Sequence, residues 1–235
     1  MSTKKQCCLI SGAASDIGIA CIEILKSQNI PVVQLINKWS AVLDHSLQDP
    51  RYSVDLECEE SIAGVMEEIQ ASHLLTSFIS LGGINEASCL ESLNGEALCK
   101  HFRINTIAPL LIIKNMVPQM VDFGFGRIVL TSSIGVKFGG SISGLAYSIS
   151  KHAAEFIPAE LRSLARRNIY TNVVRIGVTN TRRLRSLGKD LEERREMIPA
   201  KRIASPSEIA TFLSWLSSQD NSYMSGQVID YSGGE

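Results

Sequence analysis

Cys7-Cys8-Leu9-Ile10-Ser11-Gly12-Ala13-Ala14-Ser15-Asp16-Ile17-Gly18 is the stretch on which the fold turns. A short apolar run, Cys7–Ile10, enters a turn of small residues. Beyond the turn, Ile17, Cys21, Ile24 and Leu25 recur at helical spacing. A strand that passes through such a turn into a helix leaves the first helical N–H groups unpaired and pointing at the loop, where they can hold a phosphate. Gly12 allows the tight turn, and Gly18 lets helix and strand pack closely. Ser15, Asp16 and Ile17 complete the phosphate-facing loop. Asp16 stands where a further glycine would let backbone and phosphate approach most closely. Its carboxylate either repels the anion or caps the helix; capping is the preferred reading.

Strands and helices alternate outward from this turn. Pro31–Ile36 reads as a strand, Ser61–Ser72 as a helix, and Thr76–Leu81 as a buried strand before Gly82 and Gly83. A long helix is predicted over Glu96–Met120, a strand over Arg127–Thr131 and a second long helix over Ala146–Arg166. A strand over Thr171–Ile176, a helix over Ser207–Ser217 and a short strand over Gln227–Asp230 follow. Such alternation predicts an α/β fold, with a doubly wound parallel sheet and helices on both faces. The strands are continuous apolar runs, as burial on both faces demands. No composition break divides residues 1–235, so one domain is expected. Residues 182–200 carry Arg182, Arg183, Arg185, Arg194 and Arg195. This segment is either a lid over the site or a solvated helical surface.

Composition narrows the function. Lys and Arg number 23 against 24 Asp and Glu in 235 residues, a formal charge of −1. A nucleic-acid binder needs a basic footprint that this balance lacks, and nothing favours an anionic membrane surface. The longest apolar run, near Ile107–Ile113, is far short of the ~20 residues that span a bilayer. The six cysteines form no C-x-x-C and no zinc-like spacing, so no metal site is expected. They read as free thiols in a reducing compartment, and the expected location is cytoplasmic.

Two further motifs carry chemistry. In Tyr147-Ser-Ile-Ser-Lys151 the phenol and the amine share one helix face. An ammonium beside a phenol lowers its pKa and makes it a usable acid/base. Gly126-Arg-Ile-Val-Leu-Thr-Ser-Ser133 is a buried strand ending in hydroxyls. The carboxyl ends of such strands face the ligand crevice, which places Ser133 to bond a substrate oxygen.

With these motifs in order, the chain resembles the short-chain dehydrogenase/reductases, in particular 3-oxoacyl-carrier-protein reductases. Asp55-Leu56, Gly82-Gly83, Ile104-Asn105-Thr106-Ile-Ala-Pro109, Asn172…Gly177…Thr181 and Ser225-Gly-Gln-Val-Ile229 extend the match over essentially the whole chain. The resemblance implies a single Rossmann-type domain, a nicotinamide cofactor and carbonyl–alcohol interconversion. It makes Tyr147 the acid/base, Lys151 the holder of the nicotinamide ribose, Ser133 the orienter of the carbonyl and Asn105 the support of a water relay to the lysine. Gly12, Ser15, Asp16, Ile17, Gly18, Asn37, Lys38, Asp55, Leu56, Gly82, Gly83, Gly177, Thr179 and Thr181 are the implied cofactor contacts. The second strand ends in Leu35-Ile36-Asn37-Lys38 with no acid for a ribose 2′-hydroxyl. Lys38 could meet a 2′-phosphate instead, so NADP(H) is expected over NAD(H).

Several positions depart from the family's pattern. Asp16 replaces a glycine, Ser80-Leu81-Gly82-Gly83 lacks the family's two asparagines, and Ile176 replaces a proline. They motivate an alternative reading as a cofactor-binding regulatory or scaffold protein without turnover. The expected substrate is a small or carrier-bound carbonyl compound, with Arg166 and Arg167 as a possible docking patch for an acidic carrier. Resemblance also implies a homo-oligomer, dimer or tetramer.

Overall fold

The computed structural model describes residues 4–37, 49–186 and 191–235. Seven strands form one parallel sheet: β1 Lys5–Ser11, β2 Val32–Asn37, β3 Arg51–Val54, β4 His73–Ser80, β5 Gly126–Ser133, β6 Ile169–Ile176 and β7 Val228–Tyr231. Their spatial order is β3-β2-β1-β4-β5-β6-β7. The order reverses between β1 and β4, and the crevice beyond their carboxyl ends is where such folds bind ligands. Helices α1 Asp16–Ser27 and α9 Pro206–Leu216 pack together on one face; α2 Glu59–Ser72 and α4 Ala108–Phe123 pack on the other. Each face has its own apolar core. Cys8, Ile10, Ile79, Val129 and Val174 point toward α1 and α9, while Leu9, Leu35, Phe78, Ile128 and Val173 point the opposite way. That is the two-sided burial expected of continuous apolar strands. The predicted fold class is therefore the observed one.

Three local expectations need correction. β3 was not anticipated: it is a four-residue edge strand with only Val54 fully buried, too short and polar for a periodic signal. The helix expected over Glu96–Met120 is α3 Gly95–Phe102 and α4, joined by a π-turn at Arg103–Ile107. Pro109 has no N–H to give the Asn105 carbonyl, so the helical bond at that point cannot form. The wider turn results, with Ala108 N–H reaching back to Arg103 O. The helix expected over Ala146–Arg166 stops after α5 Leu145–Ala153 and resumes as α6 Ala159–Ser163 and a 3₁₀ turn at Leu164–Arg167. Pro158 is the cause: it disfavours helical backbone at Ile157, and the break turns Glu155 and Ile157 inward.

Beyond β6, α7 Arg182–Ser186 and α8 Leu191–Met197 cross over the carboxyl ends of the strands before Ile198 is buried again. No described helix is long and apolar enough to cross a membrane. The described cysteines are unpaired, and Cys7, Cys8 and Cys21 are core side chains.

Candidate active site

A groove runs along the carboxyl ends of the strands. Its larger part, about 580 Å³, is walled by Ser133, Tyr147 and Lys151 on one side and by Asp16, Thr179, Thr181 and Arg182 on the other. A second hollow of about 260 Å³ continues past Ser15, Leu81, Gly83 and Ile84, which line both, to Asn37, Asp55 and Leu56.

The loop after β1 is built as its residues require. Gly12 has φ +68°, and a Cβ there would lie 2.7 Å from the Gly82 nitrogen and the Leu81 carbonyl carbon. A Cβ on Gly18 would meet the Gly12 oxygen at 2.6 Å, so both glycines serve close packing. Ser15, rather than Asp16, caps α1: its Oγ accepts from Gly18 N–H at 3.1 Å. The capping expectation for Asp16 is thus overturned. Its carboxylate instead accepts from Arg182, through the backbone N–H at 2.5 Å and Nε at 2.6 Å. Two acceptors aligned with a guanidinium and the N–H beside it outcompete a single helical N–H.

On the catalytic side, Tyr147 and Ser133 line the same cavity, with the Ser133 side chain close enough to favour the ionised phenol. Lys151 is buried and donates to Thr131 O at 2.8 Å. Burial pushes its ammonium down to about 8. Burial likewise raises the Tyr147 phenol, with the Ser133 side chain and then the Arg183 charge opposing. Sequence spacing names Lys151 as the cation beside the phenol; Arg183 adds a second positive charge that favours its ionised form. Its guanidinium is held by Asn85 O at 2.5 Å and lines the same cavity. The Lys151 amine turns to the β5 backbone.

Asn105 sits in the π-turn, buried, with every side-chain group engaged. Its Oδ1 accepts from Ile84 N–H at 2.9 Å, and its Nδ2 donates to Ile84 O at 3.0 Å and Ser150 Oγ at 2.9 Å. It therefore ties the loop after β4 to the helix carrying Lys151. A Cβ on Gly83 would lie 2.9 Å from Asn105 Oδ1 and 3.6 Å from Lys151 Nζ.

The remaining expected contacts divide. Ile17, Gly177, Thr179 and Thr181 line the larger cavity; Gly82, Asp55, Leu56 and Asn37 line the smaller. Thr179 spends its hydroxyl on Gly177 O at 3.0 Å, and Thr181 Oγ1 accepts from Leu184 N–H to begin α7. Asp55 Oδ1 accepts from Glu57 N–H, shaping its own turn. Lys38 lies outside the described residues. Among the described residues, no Lys or Arg lines the smaller hollow. Arg166 and Arg167 precede β6, whereas the catalytic groups lie beyond the opposite ends of the strands. Eight residues of strand separate the two ends, on the order of 20 Å, so these arginines do not adjoin the site.

Glu155 went unnoticed in the sequence because it lay within an assumed long helix. Its carboxylate accepts from Ser132 Oγ at 2.8 Å and from Arg175 Nε and Nη2 at 2.8 and 2.7 Å. Ser132 Oγ also reaches Lys151 O at 3.2 Å, so the pair braces the catalytic helix from behind.

An α/β domain with a glycine-bearing phosphate loop and a Ser–Tyr–Lys set at the mouth of its sheet defines a nucleotide-dependent oxidoreductase. Residues 12–235 match the family model described as enoyl-(acyl carrier protein) reductase. A 3-oxoacyl-[acyl-carrier-protein] reductase of Aquifex aeolicus (strain VF5) is 28% identical over 246 aligned positions, covering 96% of this chain and 95% of that one. Among solved structures, a 3-oxoacyl (acyl-carrier-protein) reductase from Agrobacterium tumefaciens C58 with NADP bound superposes with TM-score 0.86 at 21% identity, covering 99% of this chain and 95% of the other. The L-sorbose reductase of Gluconobacter frateurii, complexed with NADPH and L-sorbose, superposes with TM-score 0.88 at 21% identity over 98% and 96% of the chains. The chain belongs to the short-chain dehydrogenase/reductase family and is an oxidoreductase of that family.

The described residues fit a nicotinamide dinucleotide. Gly12 and Gly83 line the smaller hollow, where the absence of side chains leaves backbone on its wall. Lys151 offers two further ammonium donors beside a cavity wall, with Thr131 O its one hydrogen-bond partner among the described residues.

Proposed function

We propose that this protein reduces a ketone, as a small molecule or a carrier-bound 3-oxoacyl thioester, with NADP(H) as the favoured cofactor. The observation that carries the reading is that Ser133, Tyr147 and buried Lys151 line one cavity beyond the carboxyl ends of the strands. Two convergent hydroxyls suit a carbonyl oxygen, which accepts from both at once. When bound, the nicotinamide supplies the hydride to the carbonyl carbon. Tyr147 gives its phenolic proton to the oxygen, and Ser133 holds that oxygen in place. Lys151 lies on the cavity wall to hold the ribose hydroxyls. Asn105 keeps the helix of Lys151 seated and supports the proton's return through water.

The matched family description names enoyl reduction, which adds hydride to a C=C bond. The paired hydroxyls favour the carbonyl reading. A screen of cofactor consumption over ketones, 3-oxoacyl thioesters and enoyl thioesters decides between them. Consumption with enoyl thioesters alone overturns the proposal, and cofactor binding without turnover on any of them favours the regulatory reading. Within residues 182–200, of which 187–190 lie outside the described residues, α7 and α8 place Arg183 and Arg194 on the cavity wall and act in this proposal as a lid that favours an anionic substrate. In this proposal the chain acts as a homo-oligomer, dimer or tetramer.

NADPH is expected to bind more tightly than NADH in a fluorescence titration. Tighter binding of NADH by about tenfold, or ~1.4 kcal/mol, overturns the preference. The charged groups that share a cavity with Tyr147 are Asp16, Lys151, Arg182, Arg183 and Arg194, and on its other side Lys137 and Glu235, the last paired with Arg194. Arg183 favours the charged phenolate, so Arg183→Ala is expected to raise the phenol pKa further. In alcohol oxidation, where the phenolate is the base, the rising limb of the kcat/KM profile should move to higher pH. A limb that stays in place sinks the assignment.

A further inference from the structure

We infer that Arg182 is a pyrophosphate ligand of this chain and that Asp16 is the residue that positions it. The inference rests on the nicotinamide-dinucleotide reading and adds to it a cation delivered from the far side of the groove. Asp16 is the loop position at which the chain departs from a glycine. A bare carboxylate there would face the anion that the α1 N-terminus attracts. The structure shows that it is not bare. Its two oxygens take the Arg182 N–H and Nε, and Arg182 Nη2 donates to Ala14 O at 2.9 Å. The pair joins residues 166 positions apart and lies on the cavity wall with Ser15, Ile17, Thr179 and Thr181.

Charge and geometry point the same way. Ion pairing cancels the Asp16 charge, so the loop keeps its attraction for an anion. Guanidinium is planar, and its three nitrogens carry five N–H donors. Asp16 and Ala14 use the Nε and Nη2 edges, and Nη1 has no described partner. Arg182 is half-exposed, with its side chain at 50%. Because Arg182 lines the cavity and is half-exposed, Nη1 can meet a phosphate while Nε and Nη2 stay on Asp16 and Ala14. The same contact pins the first residue of α7 to the phosphate loop, so a ligand held by Arg182 would also steady the segment that carries Arg183.

The test is a double-mutant cycle read by equilibrium binding in place of turnover. NADPH, NADH and ADP-ribose are titrated by calorimetry against wild type, Asp16→Gly, Arg182→Ala and the double variant, at two salt concentrations. A charge-assisted contact predicts that Arg182→Ala weakens all three ligands by roughly tenfold to a hundredfold. It also predicts a shallower salt dependence and an unchanged Kd for adenosine, which has no pyrophosphate. Asp16→Gly is expected to weaken the same ligands in the wild-type background and to have no such effect once Arg182 is gone. Arg182→Lys, which keeps the charge and loses the fork, should fall between; circular dichroism confirms that each variant is folded. Tighter binding by Asp16→Gly, or an unchanged Kd in Arg182→Ala, overturns the inference and leaves the dinucleotide reading standing. Failure of wild type to bind NADPH, NADH and ADP-ribose overturns both.

Discussion

Tyr147→Phe is expected to lower kcat by about 10²–10⁴-fold while the Kd for NADPH stays near the wild-type value. The substitution removes one oxygen and keeps the ring, so Lys151, its bond to Thr131 O and the cavity wall remain. What is lost is the proton that the carbonyl oxygen must receive and half of the hydroxyl pair that holds it. Ser133 alone retains a hydrogen bond to substrate, which preserves binding better than rate. Single-turnover measurement at saturating cofactor separates the chemical step from release. Turnover within a few-fold of wild type would remove Tyr147 from the chemistry, and the carbonyl-reductase reading with it.

The second large effect is on stability. Glu155→Ala should destabilise the fold by about 3 kcal/mol, the low end of what breaking a buried ion pair costs. The low end applies because Arg175 keeps Asp230, 3.2 Å away, and Ser132 keeps Lys151 O. For a chain of this size that is a fall in melting temperature of roughly 6–12 °C. Glu155→Gln retains acceptor oxygen and should recover part of the loss. A further effect distinguishes bracing from plain stability. Without the Glu155 bonds to Ser132 and Arg175, the chain just after the helix that carries Lys151 is held less firmly, so kcat should fall at temperatures where the variant is fully folded. A melting temperature within 2 °C of wild type, a bound of about 1 kcal/mol, would show that the network contributes little.

Legibility differed by residue. Gly12, Gly18, Ser133, Tyr147 and Lys151 could be assigned because each sits at a strand end or one helical turn from its partner. Asn105 stands out in the sequence, but its contacts depend on Pro109 opening the helix and on Ser150 and Ile84 lying opposite. Pro158 was visible, yet its consequence was missed because apolar spacing on either side resembled one continuous helix. Its break is what makes Glu155 a buried acid facing β6 instead of a surface residue.

The alternation of strands and helices, the phosphate turn and the Ser–Tyr–Lys spacing are legible in the sequence alone. All three are written in spacing along the chain, and neighbouring residues enforce them whatever lies elsewhere. Tertiary structure decided which charges meet. Asp16 finds Arg182, the phenol of Tyr147 faces Arg183, and Glu155 meets Arg175 because the chain beyond β6 returns over the loop of β1 and because a proline turns one segment inward. Charge pairing depends on distance in space, and residues far apart in the chain come close only after the sheet has brought them together.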